Sequence, residues 1–364
     1  MDINKLANPH VAAMSAYVPG MQPTEPGWVK LNTNELPYAP SPKVIEVIQA
    51  ELANDAVSLR LYPNPNSAPL REAVAKHHHL NFDQVLIGNG ADDVLNLLCR
   101  TFASAEKSIG MTVPSYSLYQ VLAAAQGAQM ENIEFDRSME LPQNAIKSCP
   151  ANLFFLTNPN APTGKSFSND EIRKAANGFS GIFVVDETYA PFAEENAVGL
   201  LSEIPNLVIV RSFSKAFGLA GLRVGYALSS PGIIDLLDRV RDSYNVDRLA
   251  QAAALAAISH SYYYEDIANH VRDLRDRMEA WYRELGWFVY KSSANFHFVE
   301  PLNFNGESGL EVSKSLFEHL HEQKILVRSF PKHALTKSFL RISLGSESEM
   351  ETLKGAIKSW QKTL

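Results

Sequence analysis

The sequence predicts an α/β fold: a large domain on a mostly parallel, seven-stranded type of sheet, followed by a smaller α+β domain. Three observations carry this. Short apolar runs alternate with helical stretches through the first two thirds of the chain; long helical stretches take over after Ser230; and from Trp287 strands dominate. Apolar strands buried on both faces and separated by helices are typical of parallel α/β sheets.

The elements follow in order. The first thirty residues, with Pro9, Pro19-Gly20, Pro23 and Pro26-Gly27, read as an arm that packs on something else, with Tyr17 as its anchor. A strand at 85–87 leads into a helix at 92–102, and an apolar segment ends at Pro114. A helix at 118–125 precedes a strand at 130–135, a strand at 152–156 precedes a helix at 170–176, and strands follow at 182–185 and 207–210. Helices are predicted at 233–241, 249–259 and 267–285, the last rich in alternating charge and long enough to bridge two domains. Strands at 288–291, 296–299, 325–328 and 339–344, with two helices between and after, complete the small domain. The expected organisation is an arm over 1–30, a large domain over 31–285 and a small domain over 286–364.

The chain's 364 residues suffice for two domains. Its 33 basic against 40 acidic residues give a net charge of −7, which argues against nucleic acid or an anionic membrane as main partner. No apolar run is long enough to span a membrane, and Met1-Asp2-Ile3-Asn4-Lys5 does not read as a signal peptide. Cys99 and Cys149 are too few for a disulfide framework or a metal cluster, and read as small buried hydrophobes of a reducing compartment. A cytoplasmic protein without a metal site is expected.

Lys215 is the most informative residue. It lies in Ser212-Phe213-Ser214-Lys215-Ala216-Phe217-Gly218-Leu219-Ala220-Gly221-Leu222-Arg223, directly after an apolar strand. The small residues around it leave the amine unshielded, and lysine amines form Schiff bases with carbonyl compounds, pyridoxal phosphate among them. Ser212, Ser214 and Arg223 are the donors a phosphate group needs. Asp186 ends the preceding apolar strand. It suits a helix cap, a metal or a ring-nitrogen cation, and with a lysine Schiff base in view the last role fits.

Gly88-Asn89-Gly90-Ala91-Asp92-Asp93 joins a strand to a helix, where free backbone N–H groups bind phosphate. Asp93 stands where a dinucleotide fingerprint needs its third glycine. Tyr116 is placed to stack on a flat ring or to pack in the core. Gly164-Lys165-Ser166 does not complete a phosphate-binding loop, because Pro159 occupies its first glycine position. Ser212 and Lys215 have the spacing of the β-lactamase pair but no companion motifs. His77-His78-His79 reads as a solvated helix end. Arg341, inside an apolar strand, needs an anionic partner, and Arg328 offers a second guanidinium in the same small domain.

Together these residues resemble the fold-type I pyridoxal-phosphate-dependent aminotransferases, and most closely their histidinol-phosphate branch. The resemblance runs from about Leu31 to Leu344. It includes Leu31-Asn32-Thr33-Asn34-Glu35, Tyr62-Pro63, Gly88-Asn89-Gly90-Ala91-Asp92, Pro114-Ser115-Tyr116, Asn160-Ala161-Pro162-Thr163-Gly164, Val185-Asp186-Glu187-x-Tyr189, the Lys215 stretch, Ala294-Asn295-Phe296 and Leu340-Arg341-Ile342. It implies pyridoxal 5'-phosphate held through Lys215, which later moves the proton between the substrate Cα and the cofactor carbon. It implies that Asp186 pairs with the ring nitrogen, that Tyr189 donates to the ring hydroxyl, and that Tyr116 stacks on the ring. Ser212, Ser214, Arg223 and the Gly90-Ala91-Asp92 backbone would hold the cofactor phosphate.

Tyr62 would reach that phosphate from the partner subunit of a homodimer. Arg341 would take the α-carboxylate, with Asn34 also at the substrate, and Tyr17 and Arg328 would meet the substrate's phosphate. The implied reactants are histidinol phosphate with glutamate and 2-oxoglutarate, in two half-reactions. An aromatic amino acid transaminase and a threonine-phosphate decarboxylase remain alternatives. The family often has Asn immediately before Pro-Thr-Gly, where this chain has Ala161. Asn160 or Asn158 takes over that contact, or Tyr189 acts alone. Leu36, where Asn is usual, reads as a tolerated loop change.

Overall fold

The computed structural model describes residues 1–362. Its strands are β1 (Val29–Lys30), β2 (Val85–Gly88), β3 (Ile109–Val113), β4 (Met130–Glu134), β5 (Leu153–Thr157), β6 (Ile182–Asp186), β7 (Leu207–Ser212), β8 (Gly225–Ser229), β9 (Phe288–Val289), β10 (Phe296–Glu300), β11 (Ile325–Leu326), β12 (Arg328–Ser329) and β13 (Leu340–Ser343). Seven form one sheet in the order β2-β8-β7-β6-β5-β3-β4. β4, β3, β5, β6 and β7 run parallel, and β8 is antiparallel to both of its neighbours.

Both faces of this sheet are covered. Leu153 and Phe155 of β5 join one apolar cluster with Met111, Val184 and Val208; Phe154 and Leu156 join the other with Phe183, Val185 and Ile209. Successive side chains of a strand point to opposite faces, so a continuous apolar run is what a doubly covered strand requires. β4 lies at the sheet edge, and its Asn132 and Glu134 are exposed, a polar edge that discourages pairing with another chain. β8 was absent from the predicted strands. Gly225-Tyr226-Ala227-Leu228-Ser229 has no β-branched residue, and it becomes a strand by pairing with β2 and β7.

A second sheet, order β12-β13-β10-β9, is antiparallel, and β1 pairs in parallel with β11. The predicted single strand at 325–328 is two strands with different partners. Ile325–Leu326 pairs with Val29–Lys30, whereas Arg328–Ser329 pairs with β13. The change at Val327 sets Arg328 directly opposite Arg341. Helix Ser261–Glu284 turns Val271, Leu274, Met278 and Tyr282 into the core shared with these strands and with helices Leu310–Glu322 and Glu347–Trp360.

Parallel strands bring their carboxyl ends to one edge. There the segments after β3, β5, β6 and β7 meet, and the Asn32–Glu35 turn arrives beside them. Asn34 makes that junction. Its amide donates to Tyr189 Oη (2.9 Å), its backbone N–H donates to Ser343 Oγ (2.9 Å), and its carbonyl accepts from Asn295 (3.1 Å). Asn34 has φ 56, a left-handed conformation that asparagine tolerates better than most residues. Cys99 and Cys149 are both buried, and no helix among the described residues is long and apolar enough to cross a membrane.

Candidate active site

A cavity of about 560 Å³ opens at this edge, walled by the strand ends, the N-terminal arm and the second sheet. Lys215, Asp186, Tyr189, Ser212, Ser214, Arg223, Ala91, Asp92, Tyr116, Asn34, Tyr17, Arg328 and Arg341 all line it. Residues spread over more than three hundred positions thus converge on one volume.

Lys215 follows the end of β7 and donates from Nζ to the Thr33 carbonyl at 2.8 Å. Burial, and then the nearby Arg341 guanidinium, bring its pKa down to about 8. Such an amine has a substantial neutral fraction near neutral pH, as a nucleophile or base requires. Asp186 is 3% exposed at the end of β6. Its Oδ1 accepts from the Thr188 backbone N–H (3.1 Å) and hydroxyl (2.7 Å), and its Oδ2 accepts from Tyr119 Oη (2.8 Å). Burial pushes this carboxyl's pKa up, against the pull of those donors.

The opposite end of the cavity is cationic. Arg223 donates to Ser214 Oγ (3.3 Å) and Asp92 Oδ2 (3.1 Å), while the Ser214 N–H donates to Ser212 Oγ (3.0 Å). Arg223 holds a left-handed backbone, φ 52, that glycine would adopt more easily, so a side chain here is kept against its conformational preference. The adjacent helix, Ala91–Phe102, starts from Gly90 without a side-chain cap, unlike helix Asn169–Ala176, which Ser168 and Glu171 cap reciprocally. Its first N–H groups are available to an anion. Gly90 itself is not on the wall. It has φ +86, a backbone conformation that suits glycine, and a Cβ there would lie 2.6 Å from an Arg223 nitrogen, so a larger residue strains the backbone and displaces the guanidinium.

Tyr116 donates to Asp92 Oδ1 (3.2 Å) and meets the Tyr17 ring edge-on at 6.1 Å. Tyr189 stands edge-on to Phe296, and burial raises its pKa. Arg341 lies over the rings of Phe296 and Phe330, at 5.3 and 5.5 Å. Both small-domain guanidinium groups donate to main-chain carbonyls, Arg328 to Val18 (3.1 Å) and Arg341 to Asn32 (3.0 Å). Burial, and a Coulombic push from Arg328 among its further causes, lower the Arg341 pKa.

One predicted contact is corrected. Asn160 does not reach the cavity. Its amide donates to the Pro114 carbonyl (3.2 Å) and accepts from the Thr163 hydroxyl (2.7 Å), fixing its own loop. Asn158 is likewise occupied by both backbone groups of Phe167. Neither replaces the missing asparagine at Ala161; Tyr189, steadied by Asn34, is the hydroxyl on that wall. Tyr62 lies outside the cavity of its own chain, 77% exposed and stacked on Tyr244 at 4.5 Å.

Tyr119, Thr157 and Thr188 lie at the site but outside the sequence motifs, and Ser115 and Glu35 lie within motifs that assign them no role. Thr188, two residues after Asp186, has the spacing of an Asx turn and was legible. Glu35 needed the fold. Burial pushes its carboxyl up, but hydrogen bonds from Lys30 and Thr33 outweigh that and hold its pKa below the usual range.

The family model for aminotransferase class I and II matches residues 26–357. The chain belongs to the class I and II aminotransferases. A histidinol-phosphate aminotransferase of Syntrophotalea carbinolica is 42% identical over 353 residues, 96% of this chain and 97% of that one. Another, of Geobacter sulfurreducens, is 40% identical over 350 residues, again 96% and 97%. Among solved structures, the histidinol-phosphate aminotransferase of Sinorhizobium meliloti in complex with pyridoxal-5'-phosphate superposes with a TM-score of 0.82 at 25% identity, over 92% of this chain and 90% of that one.

The cofactor of this aminotransferase family is pyridoxal 5'-phosphate, and the donor set here fits it. The uncapped helix start and the Arg223–Ser214 cluster suit a phosphate. The buried Asp186 suits a ring cation, and the depressed amine of Lys215 suits an aldehyde.

Proposed function

We propose that this aminotransferase exchanges the amino group of L-histidinol phosphate with 2-oxoglutarate, as a homodimer in the cytoplasm. One observation carries the substrate: Arg328 and Arg341 face each other across β12 and β13, both on the cavity wall, and among the described residues their guanidinium groups hydrogen-bond to main-chain carbonyls and pair with no carboxylate. Like charges directly opposite on neighbouring strands repel. A doubly charged anion between them turns that repulsion into attraction, and a guanidinium holds phosphate or carboxylate by two parallel bonds. Tyr17 adds a hydroxyl at the same mouth.

Bound pyridoxal 5'-phosphate supplies an aldehyde for the amine and a ring that accepts electrons from the substrate Cα. The side chains of this chain supply the rest. Lys215 Nζ would take the Cα proton and return it to the cofactor carbon. Asp186 would keep the ring nitrogen protonated. Tyr189 Oη, held by Asn34, would donate to the ring hydroxyl, and Tyr116 would stack on the ring. Arg223, Ser212, Ser214 and the Ala91 and Asp92 N–H groups would hold the cofactor phosphate. Tyr62 serves the partner's cavity; its exposure, beside the exposed Val57, Leu59 and Leu61, supports a covering subunit there.

Amino transfer from histidinol phosphate and from phenylalanine, measured side by side for wild type and Arg328→Ala, tests the substrate. We expect the variant to lose most of its kcat/KM for histidinol phosphate and little for phenylalanine. Retained histidinol-phosphate activity with lost phenylalanine activity would point instead to an aromatic amino acid substrate.

A further inference from the structure

Tyr119 lies outside the family motifs, yet it is fully buried beneath the site and in contact with residues of two of them. It occupies the first turn of helix Leu118–Ala125. Its ring stacks on Phe155 at 4.5 Å with 11° between the planes, and Tyr116 stands edge-on to it at 5.6 Å. The ring is thus held whether or not its hydroxyl has a task.

The hydroxyl lies 2.8 Å from Asp186 Oδ2 and 2.7 Å from Thr157 Oγ1, and Thr157 Oγ1 lies 3.0 Å from Ser115 Oγ. An ionised carboxylate only accepts, so the Tyr119 proton is committed to Asp186. The phenolic oxygen must then accept from Thr157, and Thr157 from Ser115. The order is directional: Ser115 to Thr157 to Tyr119 to Asp186. Ser115 and Thr157 both line the cavity, so this row of hydroxyls runs along the wall and ends on the carboxylate.

A buried charge without donors reverts to its neutral form. Asp186 has Thr188 on Oδ1 and Tyr119 on Oδ2 to prevent this. Burial and the neighbouring carboxylate raise the Tyr119 pKa far above that of an ordinary tyrosine, so it remains a donor throughout the working range.

We propose that Tyr119 is a positioning residue of the amino-transfer reaction, whose hydroxyl, backed by Thr157 and Ser115, keeps Asp186 ionised and fixed in the cavity. This rests on the reading of Asp186 as partner of the cofactor's ring nitrogen. Removing the hydroxyl raises the Asp186 pKa, so as pH falls the charge is lost at a higher pH than in wild type.

The test is pyridoxamine phosphate binding to the cofactor-free protein, followed by protein fluorescence over a range of pH. Wild type is compared with Tyr119→Phe, Thr157→Val and Asp186→Asn. A hydrogen bond to a charged group is worth enough that Tyr119→Phe should bind about tenfold more weakly at neutral pH. The acid-side loss of binding should move to higher pH, and in the reloaded enzyme kcat should fall with little change in the KM for the amino donor. Thr157→Val should shift both readouts in the same direction but less.

Unchanged affinity and pH profile in Tyr119→Phe, with binding lost in Asp186→Asn, overturns the role of Tyr119 and leaves Asp186 standing. Wild-type binding in Asp186→Asn removes the reading on which the proposal rests. Thermal unfolding of the cofactor-free variants separates a packing defect, and if Tyr119→Phe does not fold, the same outcomes are read from Thr157→Val, where the tyrosine ring is intact.

Discussion

Lys215 shows how a single side chain acquires its chemistry. The sequence places it after a strand among small residues, but its pKa of about 8 comes from burial and from Arg341, which lies far away along the chain. Because burial disfavours the charged amine, the neutral form gains as pH rises through that value. The rate at which Lys215 captures the cofactor aldehyde in cofactor-free protein should therefore rise about tenfold per pH unit below this pKa and level off above it. Stopped-flow absorbance checks this, and a rise continuing to the pKa of an ordinary lysine would refute the depressed value. Gly90 makes a second residue-scale case. Gly90→Ala must carry a Cβ at φ +86 and 2.6 Å from Arg223, and strain of this kind costs about 1–3 kcal/mol. Cofactor affinity should fall about tenfold or more while the far-ultraviolet circular dichroism stays that of wild type. The motif around Gly90 was legible in the sequence, but the reason for its glycine was not, since that reason is a positive φ fixed by the fold, beside the Arg223 guanidinium.

At the scale of elements, the ends of β6 and β7 carry the site on one side and a buried ion pair on the other. Asp186 and Ser212 face the cavity, while Arg211 and Glu187 meet away from it, with Nε and Nη2 of Arg211 at 2.9 and 2.6 Å from Glu187 Oε2. Glu187 is fully buried, so removing its partner strands a charge. Arg211→Met should cost about 3–5 kcal/mol in urea unfolding, and the double variant with Glu187→Leu should recover much of it. A small loss in the single variant would show the pair to be solvated. Predicted and observed strands differ where pairing, not composition, decides. β8 has no β-branched residue and forms between two neighbours that supply its hydrogen bonds. The apolar stretch before Arg328 divides because β1 takes one half and β13 the other. A side-chain pattern records burial and period; it does not record which strand lies alongside.

For the whole molecule, Tyr62 decides whether the site is complete within one chain. It is absent from its own cavity, and its loop is tied down by Arg248, which donates to the Tyr62 carbonyl (3.2 Å), and by Gln251, which donates to that of Asn64 (2.9 Å). If it serves a partner, refolding Tyr62→Ala together with Lys215→Ala should yield mixed dimers with one intact site each. A random twofold assortment then restores about a quarter of wild-type activity, whereas a site complete within each chain shows no such gain. By itself the sequence determined the class of fold, and it picked out Lys215, Asp186, Ser212, Ser214 and Arg223, which the structure brings to one cavity, because each is a local matter of strand end, small neighbour and charge. Only the tertiary structure decided that Asn160 is spent on its own loop, that Arg328 stands against Arg341, and that Tyr119 lies beneath Asp186. Those are contacts between segments distant in the chain, and their energies depend on burial and on the exact company of each polar group, which no local pattern contains.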